Sequence, residues 1–226
     1  MVMNENVNTL REPRDEDREP RWPALVALIA VGGVYASLPA SMFVGPRWLV
    51  PVIVAALLVP TVISHRSGNH SLNHLFGLIA NGFVTAALVV SLALLIRALP
   101  AHKESPIALL FSAAALWFTN IIVFALWYWR LDAGGPNKRD LRAVHTKGAF
   151  LFPQMSLDDD ARAAAGAEEW SPEFLDYLFL AFNTSTALSP TDAPVLSRWA
   201  KGLMMLQAAI SLTIIVLLAG RAVNIL

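Results

Sequence analysis

Long apolar stretches leave this chain little choice of fold. Residues 23–43, 48–63, 72–99 and 107–129, and a final run at 196–224, carry few charges. Each is near the roughly 20 residues that a helix needs to cross the hydrocarbon core of a bilayer, the second being the shortest. The expected fold class is therefore an all-α integral membrane protein with about five transmembrane helices plus one re-entrant pore-type helix. Composition agrees, because 56% of the 226 residues are hydrophobic and 15% are charged, whereas soluble domains carry about a quarter charged residues.

Several function classes are excluded early. The formal net charge is zero and no basic stripe with interleaved aromatics occurs, so no nucleic-acid partner is expected. Cysteine is absent, which removes disulfides, thiolate metal sites and cysteine nucleophiles together. No serine elbow, phosphate loop or zinc-protease helix is present, and the chain does not read as an enzyme. Asp132, Asp158, Asp159, Asp160, Glu168 and Glu169 offer carboxylates for acid/base work, but they read as members of a flexible acidic loop without a pocket signature. His70 and His74 lie four apart with His65 nearby, the spacing of a divalent-metal face. No carboxylate accompanies them, so interfacial histidines are the preferred reading, and neither metal nor cofactor is expected.

The chain divides into a polar tail at 1–22, a three-helix membrane region at 23–105 and a second region at 106–226. The tail mixes Arg11, Arg14, Arg18 and Arg21 with Glu12, Asp15, Glu16, Asp17 and Glu19, too long and too acidic for a signal-peptide lead, and is read as disordered. Gly45-Pro46 makes a tight turn between the first two helices. In the second region the order is an outer helix at 107–129, an extramembrane loop at 130–171, a short helix at 172–186, a polar segment at 187–192 and an inner helix at 196–224. Gly134-Gly135-Pro136 breaks the loop, Ser156 with Asp158, Asp159 and Asp160 starts a short helix toward Trp170, and Ser171-Pro172-Glu173 caps the helix after it. That helix is as apolar as a spanning one, yet at ~1.5 Å per residue it is too short for a core of ~30 Å. Re-entry resolves the conflict, and the polar turn that follows must then be sheltered by other helices.

The polar turn carries a resemblance. Residues 107–226 resemble the two-helix pore module of tetrameric potassium channels, whose pore helix ends in Thr-x-Thr-Thr-Val-Gly-Tyr-Gly-Asp. Here the run is Thr184-Ser185-Thr186-Ala187-Leu188-Ser189-Pro190-Thr191-Asp192, in register without a gap. Asn183 falls where many such channels carry an acidic residue behind the filter. The chain as a whole resembles a group of uncharacterised bacterial membrane proteins that carry Gly134-Gly135-Pro136, Phe150-Leu151-Phe152-Pro153-Gln154-Met155, Ser189-Pro190-Thr191-Asp192 leading into Ala200-Lys201, and Arg221-Ala222-Val223-Asn224-Ile225-Leu226. Potassium filters depend on two glycines whose backbone angles point carbonyls inward. Ser189 and Thr191 occupy those positions here, Pro190 biases Ser189 toward extended angles, and Ala187 lacks the hydroxyl of the innermost site.

The resemblance implies a homotetramer in the bacterial cytoplasmic (inner) membrane, multi-pass, with the lipid bilayer and monovalent cations as partners. Asp192 would form a ring of carboxylates above the hydroxyls of Ser189 and Thr191, attracting cations with weak selectivity, and Thr184 to Thr191 would form the constriction. The alternative is a non-conducting scaffold or accessory subunit that keeps a pore-loop fold, with Thr184, Ser185 and Thr186 bonded back to helix carbonyls and Asp192 capping a turn. Gln207 and Ser211 on the inner helix either line a lumen or bond across packed helices. Channel resemblance puts the N-terminus outside. The positive-inside rule prefers the reverse, because Arg11, Arg14, Arg18, Arg21, Arg66, Lys138, Arg139 and Arg142 would then face the cytoplasm, against Arg47, Arg97, Lys103 and Arg221.

Overall fold

The computed structural model describes residues 19, 21–42, 44–67, 69–101, 105–140, 148–167, 170–186 and 193–223. Eight helices occur among them: α1 (Trp22–Ser37), α2 (Leu49–Arg66), α3 (His70–Ala101), α4 (Pro106–Leu131), α5 (Pro136–Arg139), α6 (Asp159–Ala164), α7 (Phe174–Thr186) and α8 (Arg198–Val223). The fold of these residues is all-helical, with an isolated antiparallel bridge between Phe150 and Val195.

Among the described residues three helices are long and apolar enough to cross a membrane, over Ser71–Ala98, Pro106–Arg139 and Arg198–Gly220. The first two apolar stretches form shorter apolar helices over Trp22–Ser37 and Leu49–Ser64. α1 stops short of residue 43 for a local reason. Pro39 disfavours a helical conformation at the residue before it, and Leu38 is extended at φ −68 and ψ 148. A tight turn at Ala40–Met42 follows.

α4 is the hub, packing against α1, α3, α7 and α8. From Thr119 to Arg130 every side chain except Ile122 and Trp127 is buried. A helix that is apolar on all sides belongs in the centre of a bundle, and the sequence supplies this with Ile121, Val123, Phe124, Ala125 and Leu126. α7 and α8 instead leave large apolar side chains outside, with Leu175, Phe179 and Phe182 on one and Met205, Leu212 and Val216 on the other.

Two expectations change. The disordered tail was expected to run to Trp22, but Glu19 and Arg21 are built into a polar network at the end of α4. Glu19 Oε2 accepts from Arg21 Nη1 and from Arg139 Nη2, each at 3.0 Å, Trp129 Nε1 donates to Glu19 Oε1, and Arg21 pairs with Asp140. Residues 1–18 and Pro20 lie outside the described residues. The loop after α4 is also less peripheral than expected, since Phe150 is fully buried.

Candidate functional site

The site is built around α7. Its 13 residues extend only ~20 Å at 1.5 Å per residue. The N-terminus is closed by half of a capping box, in which Asp176 Oδ2 accepts from Glu173 N at 2.7 Å. Phe174, Tyr177, Leu180, Ala181 and Ser185 are buried, and this spacing of three and four turns one face toward α4 and α8.

The outer end of α7 is held by a carboxylate. Asp132 caps α4 and is fully buried. Its Oδ1 accepts from Ala149 N at 2.5 Å and its Oδ2 accepts from the Tyr177 hydroxyl at 2.6 Å. Burial pushes the Tyr177 phenol well above its usual range, with nearby Arg139 opposing and Asp132 reinforcing the shift, so the hydroxyl remains a donor. Arg139 Nη1 donates to the carbonyls of Trp129 at 2.8 Å and Asp132 at 3.1 Å, and its guanidinium lies 5.0 Å from the centre of the Tyr177 ring. The chain turns back onto α4 through Ala133, Gly134 and Gly135, at φ 53, 86 and 92. A Cβ on Gly135 would lie 2.8 Å from the Arg130 carbonyl oxygen, so the close approach requires glycine. Asp132 therefore sits in a closed corner of the fold, where the sequence had put it in a flexible acidic loop.

The same corner receives the chain after the polar segment. Leu151 N donates to Pro194 O at 2.9 Å, and Leu196 N donates to Ala149 O at 2.7 Å. Phe150 packs with Tyr128, Tyr177 and Trp199, at ring separations of 5.2, 6.2 and 6.2 Å. Phe174, at the start of α7, packs edge-on to Trp129 at 5.9 Å. Residues 174 and 193–196 thus meet the same end of the bundle.

The inner end of α7 is held by α8. Gln207 Nε2 donates to Ala181 O and to Ser185 Oγ, both at 2.7 Å, while its Oε1 accepts from the Tyr128 hydroxyl at 2.5 Å. Ser211 Oγ donates to Ser185 O at 2.7 Å and accepts from Trp117 Nε1 at 3.1 Å. The Ser185 carbonyl is one of those a helix leaves without an internal partner at its C-terminus, and Ser211 supplies one. Asn120 Nδ2 donates to Gln207 O at 3.3 Å, though its buried Oδ1 has no partner among the described residues. Gln207 is completely buried. From Trp199, beside Phe150, down to Gln207 and Ser211 is roughly 12–18 Å along α8 at 1.5 Å per residue.

Of the filter-like residues, Thr184 Oγ1 donates to Leu180 O at 2.8 Å and Thr186 Oγ1 to Phe182 O at 2.9 Å. Asn183 is half-buried and lines a cavity of about 130 Å³ with Gln154, Asp176 and Ala193. Ala187, Leu188, Ser189, Pro190, Thr191 and Asp192 lie outside the described residues, as does Asn224 on the inner helix. Among the described residues no group of three or more His, Cys, Asp or Glu side chains gathers as metal ligands; the side chains of His65 and His70 are outside them.

Sequence reading did not single out Asp132, Tyr177 or Arg139 as the outer anchor. A usable signal was the carboxylate directly after the apolar run, with Gly134-Gly135-Pro136 turning the chain straight back. Comparison with protein-family models, curated proteins and solved structures gives no match for this chain.

Two stability outcomes follow from these anchors. Asp132→Ala leaves the Tyr177 hydroxyl and Ala149 N–H buried without partners, for a loss of about 3–5 kcal/mol. Tyr177→Phe removes one hydrogen bond to a charged group and loses about 2 kcal/mol. Thermal unfolding in detergent, followed by circular dichroism, therefore gives midpoints in the order wild type, Tyr177→Phe, Asp132→Ala. For the inner anchor, Gln207→Leu and Tyr128→Phe are expected to be non-additive. A double-mutant cycle should return a coupling of about 1 kcal/mol, whereas strict additivity would mean that the two side chains do not share a bond.

Proposed function

We propose that this chain is a channel-like membrane protein, a poorly selective cation pore built as a homotetramer, with α7 as its re-entrant helix and the 187–192 segment as the constriction. What supports the reading is the path of the chain. Phe174 enters beside Trp129 at the end of α4, Ser185 reaches Gln207 and Ser211 partway down α8, and Val195 is back at the level of Phe150. The seven residue steps from 186 to 193 reach at most ~25 Å, enough to return from that depth. Irregular backbone at membrane depth is stable only inside protein or against water, and four copies arranged around the segment would provide such surroundings. The outward apolar residues of α7 and α8 give those copies a surface to meet on.

In this reading α1 and α2 are the first two of five spans. At 16 and 18 residues they are ~24 and ~27 Å long, short enough to require local thinning of the bilayer. Arg21, Arg66, Arg130, Lys138 and Arg139 share the end at which α7 starts, which argues by the positive-inside rule for a cytoplasmic mouth. This is the reverse of the orientation that channel resemblance implies. The cell membrane of a bacterium remains the proposed location.

A second reading has its own support. Gln207 and Ser211 are spent on α7 within one chain, and the Thr184 and Thr186 hydroxyls bond back to their own helix, as in a non-conducting scaffold that keeps the pore-loop fold. Ion flux into liposomes containing the purified protein separates the two. The pore reading predicts cation flux above that of empty liposomes, weakly selective among monovalent ions and lowered by Asp192→Asn. Absence of flux under several gradients and voltages would leave the scaffold, and unchanged flux in the variant would reject Asp192 as the ring.

A further inference from the structure

The arginine-rich end of the bundle contains a cavity that the pore reading does not use. It has a volume of about 220 Å³, lies between α1, α2, α3 and α4, and is lined by Arg21, Arg66, Arg130, Asn73, Leu28 and Val62 among others. The charges in it are unequal. Arg21 is neutralised by Glu19 and Asp140. Arg66 and Arg130 make no ion pair or hydrogen bond among the described residues.

Arg130 is the unusual group. It is 6% exposed, on the last turn of α4, with its guanidinium 5.5 Å from the centre of the Trp129 ring. An arginine cannot shed its charge as a lysine can, and a buried charge without a counter-charge is strongly disfavoured. The fold nevertheless makes room for it. A Cβ on Gly77 of α3 would lie 1.8 to 2.4 Å from the Arg130 guanidinium atoms, so the side chain lies flat on a glycine and faces the cavity. Arg66 stands exposed at the end of α2, on the rim of the same cavity. One cation at the base and one at the rim form a receptor for an anion carrying several oxygens, the Asn73 amide being spent on Thr61 O at 2.8 Å.

We propose that this cavity binds the phosphate ester of an anionic phospholipid. Guanidinium groups bind phosphate oxygens in pairs through a planar fork. Basic pockets between the ends of transmembrane helices are suited to anionic head groups. The remaining wall is mainly apolar, with the Thr61 hydroxyl spent on Leu57 O at 2.7 Å, which suits the glycerol and first methylenes of a lipid better than a fully hydrated ion. The volume is smaller than the ~300–1,000 Å³ typical of sites that enclose a whole small molecule, and fits a head group whose chains remain in the bilayer. The assignment rests on the membrane location and is independent of conduction.

Native mass spectrometry of the full-length protein in detergent, titrated with phosphatidylglycerol, phosphatidylcholine or glycerol 3-phosphate, tests it. The wild type should retain phosphatidylglycerol in preference to phosphatidylcholine. Arg130→Gln and Arg66→Gln should each weaken retention by about tenfold, the factor carried by ~1.4 kcal/mol. Gly77→Ala keeps every charge but displaces the guanidinium, and should weaken retention as well. Arg66 is exposed, so its variant remains informative even if Arg130→Gln does not fold. Arg97→Gln, remote in sequence and not part of the cavity wall, should bind as the wild type does. Equal retention by wild type, Arg66→Gln and Gly77→Ala would overturn the proposal, and so would displacement of the lipid by an equal concentration of glycerol 3-phosphate.

Discussion

The buried carboxylate of Asp132 is the interaction on which the second half of the molecule depends. It ends the central helix, accepts from the backbone of the following loop through Ala149, and accepts from the short helix through Tyr177. Three segments far apart in sequence are thereby fixed to one atom group. Apolar packing supplies little specificity between helices in lipid, because lipid tails are as apolar as leucine. A polar group that cannot be left unpaired does supply it. Arg139, which donates to the carbonyls of Trp129 and Asp132 and lies over Tyr177, extends this corner to Glu19 and Arg21. The beginning of α1 is therefore tied to the place where α4 ends.

Gln207 performs the complementary task at depth. Its amide joins Ala181 and Ser185 of α7 to Tyr128 of α4, so the short helix is fixed at both ends and its tilt is set by side-chain chemistry. Thr186 ends a helix whose Ser185 carbonyl is bonded to Ser211, and Ala193 leads into the backbone bridge with residues 149–151.

Much of the helical layout was legible in the sequence, since apolar runs of spanning length and helix-breaking pairs such as Gly45-Pro46 act locally. The end of α1 was missed, because hydropathy carries the stretch to residue 43 while the helix stops at Ser37, before Pro39. The anchors were harder to read. Asp132 directly follows the apolar run and precedes Gly134-Gly135-Pro136, a local sign of a turn, but the partners that close over it, Ala149 and Tyr177, lie 17 and 45 residues away. Gln207 admitted two uses, and choosing between them needed the position of Ser185, 22 residues away. Arg130, the residue after the apolar run at 107–129, was not singled out in the sequence. Only the packing of α3, with Gly77 opposite it, reveals a charge buried against glycine beside a cavity.

The central claim is that the chain from α7 to the start of α8 enters and leaves on one side of the membrane. The absence of native cysteine makes a direct measurement possible, using Ser171→Cys and Arg198→Cys, one on either side of the loop, each introduced alone. A membrane-impermeant maleimide should label both from the same face of sealed, oriented vesicles, and neither from the other face. Labelling of the two positions from opposite faces would make α7 part of a crossing segment and contradict the account.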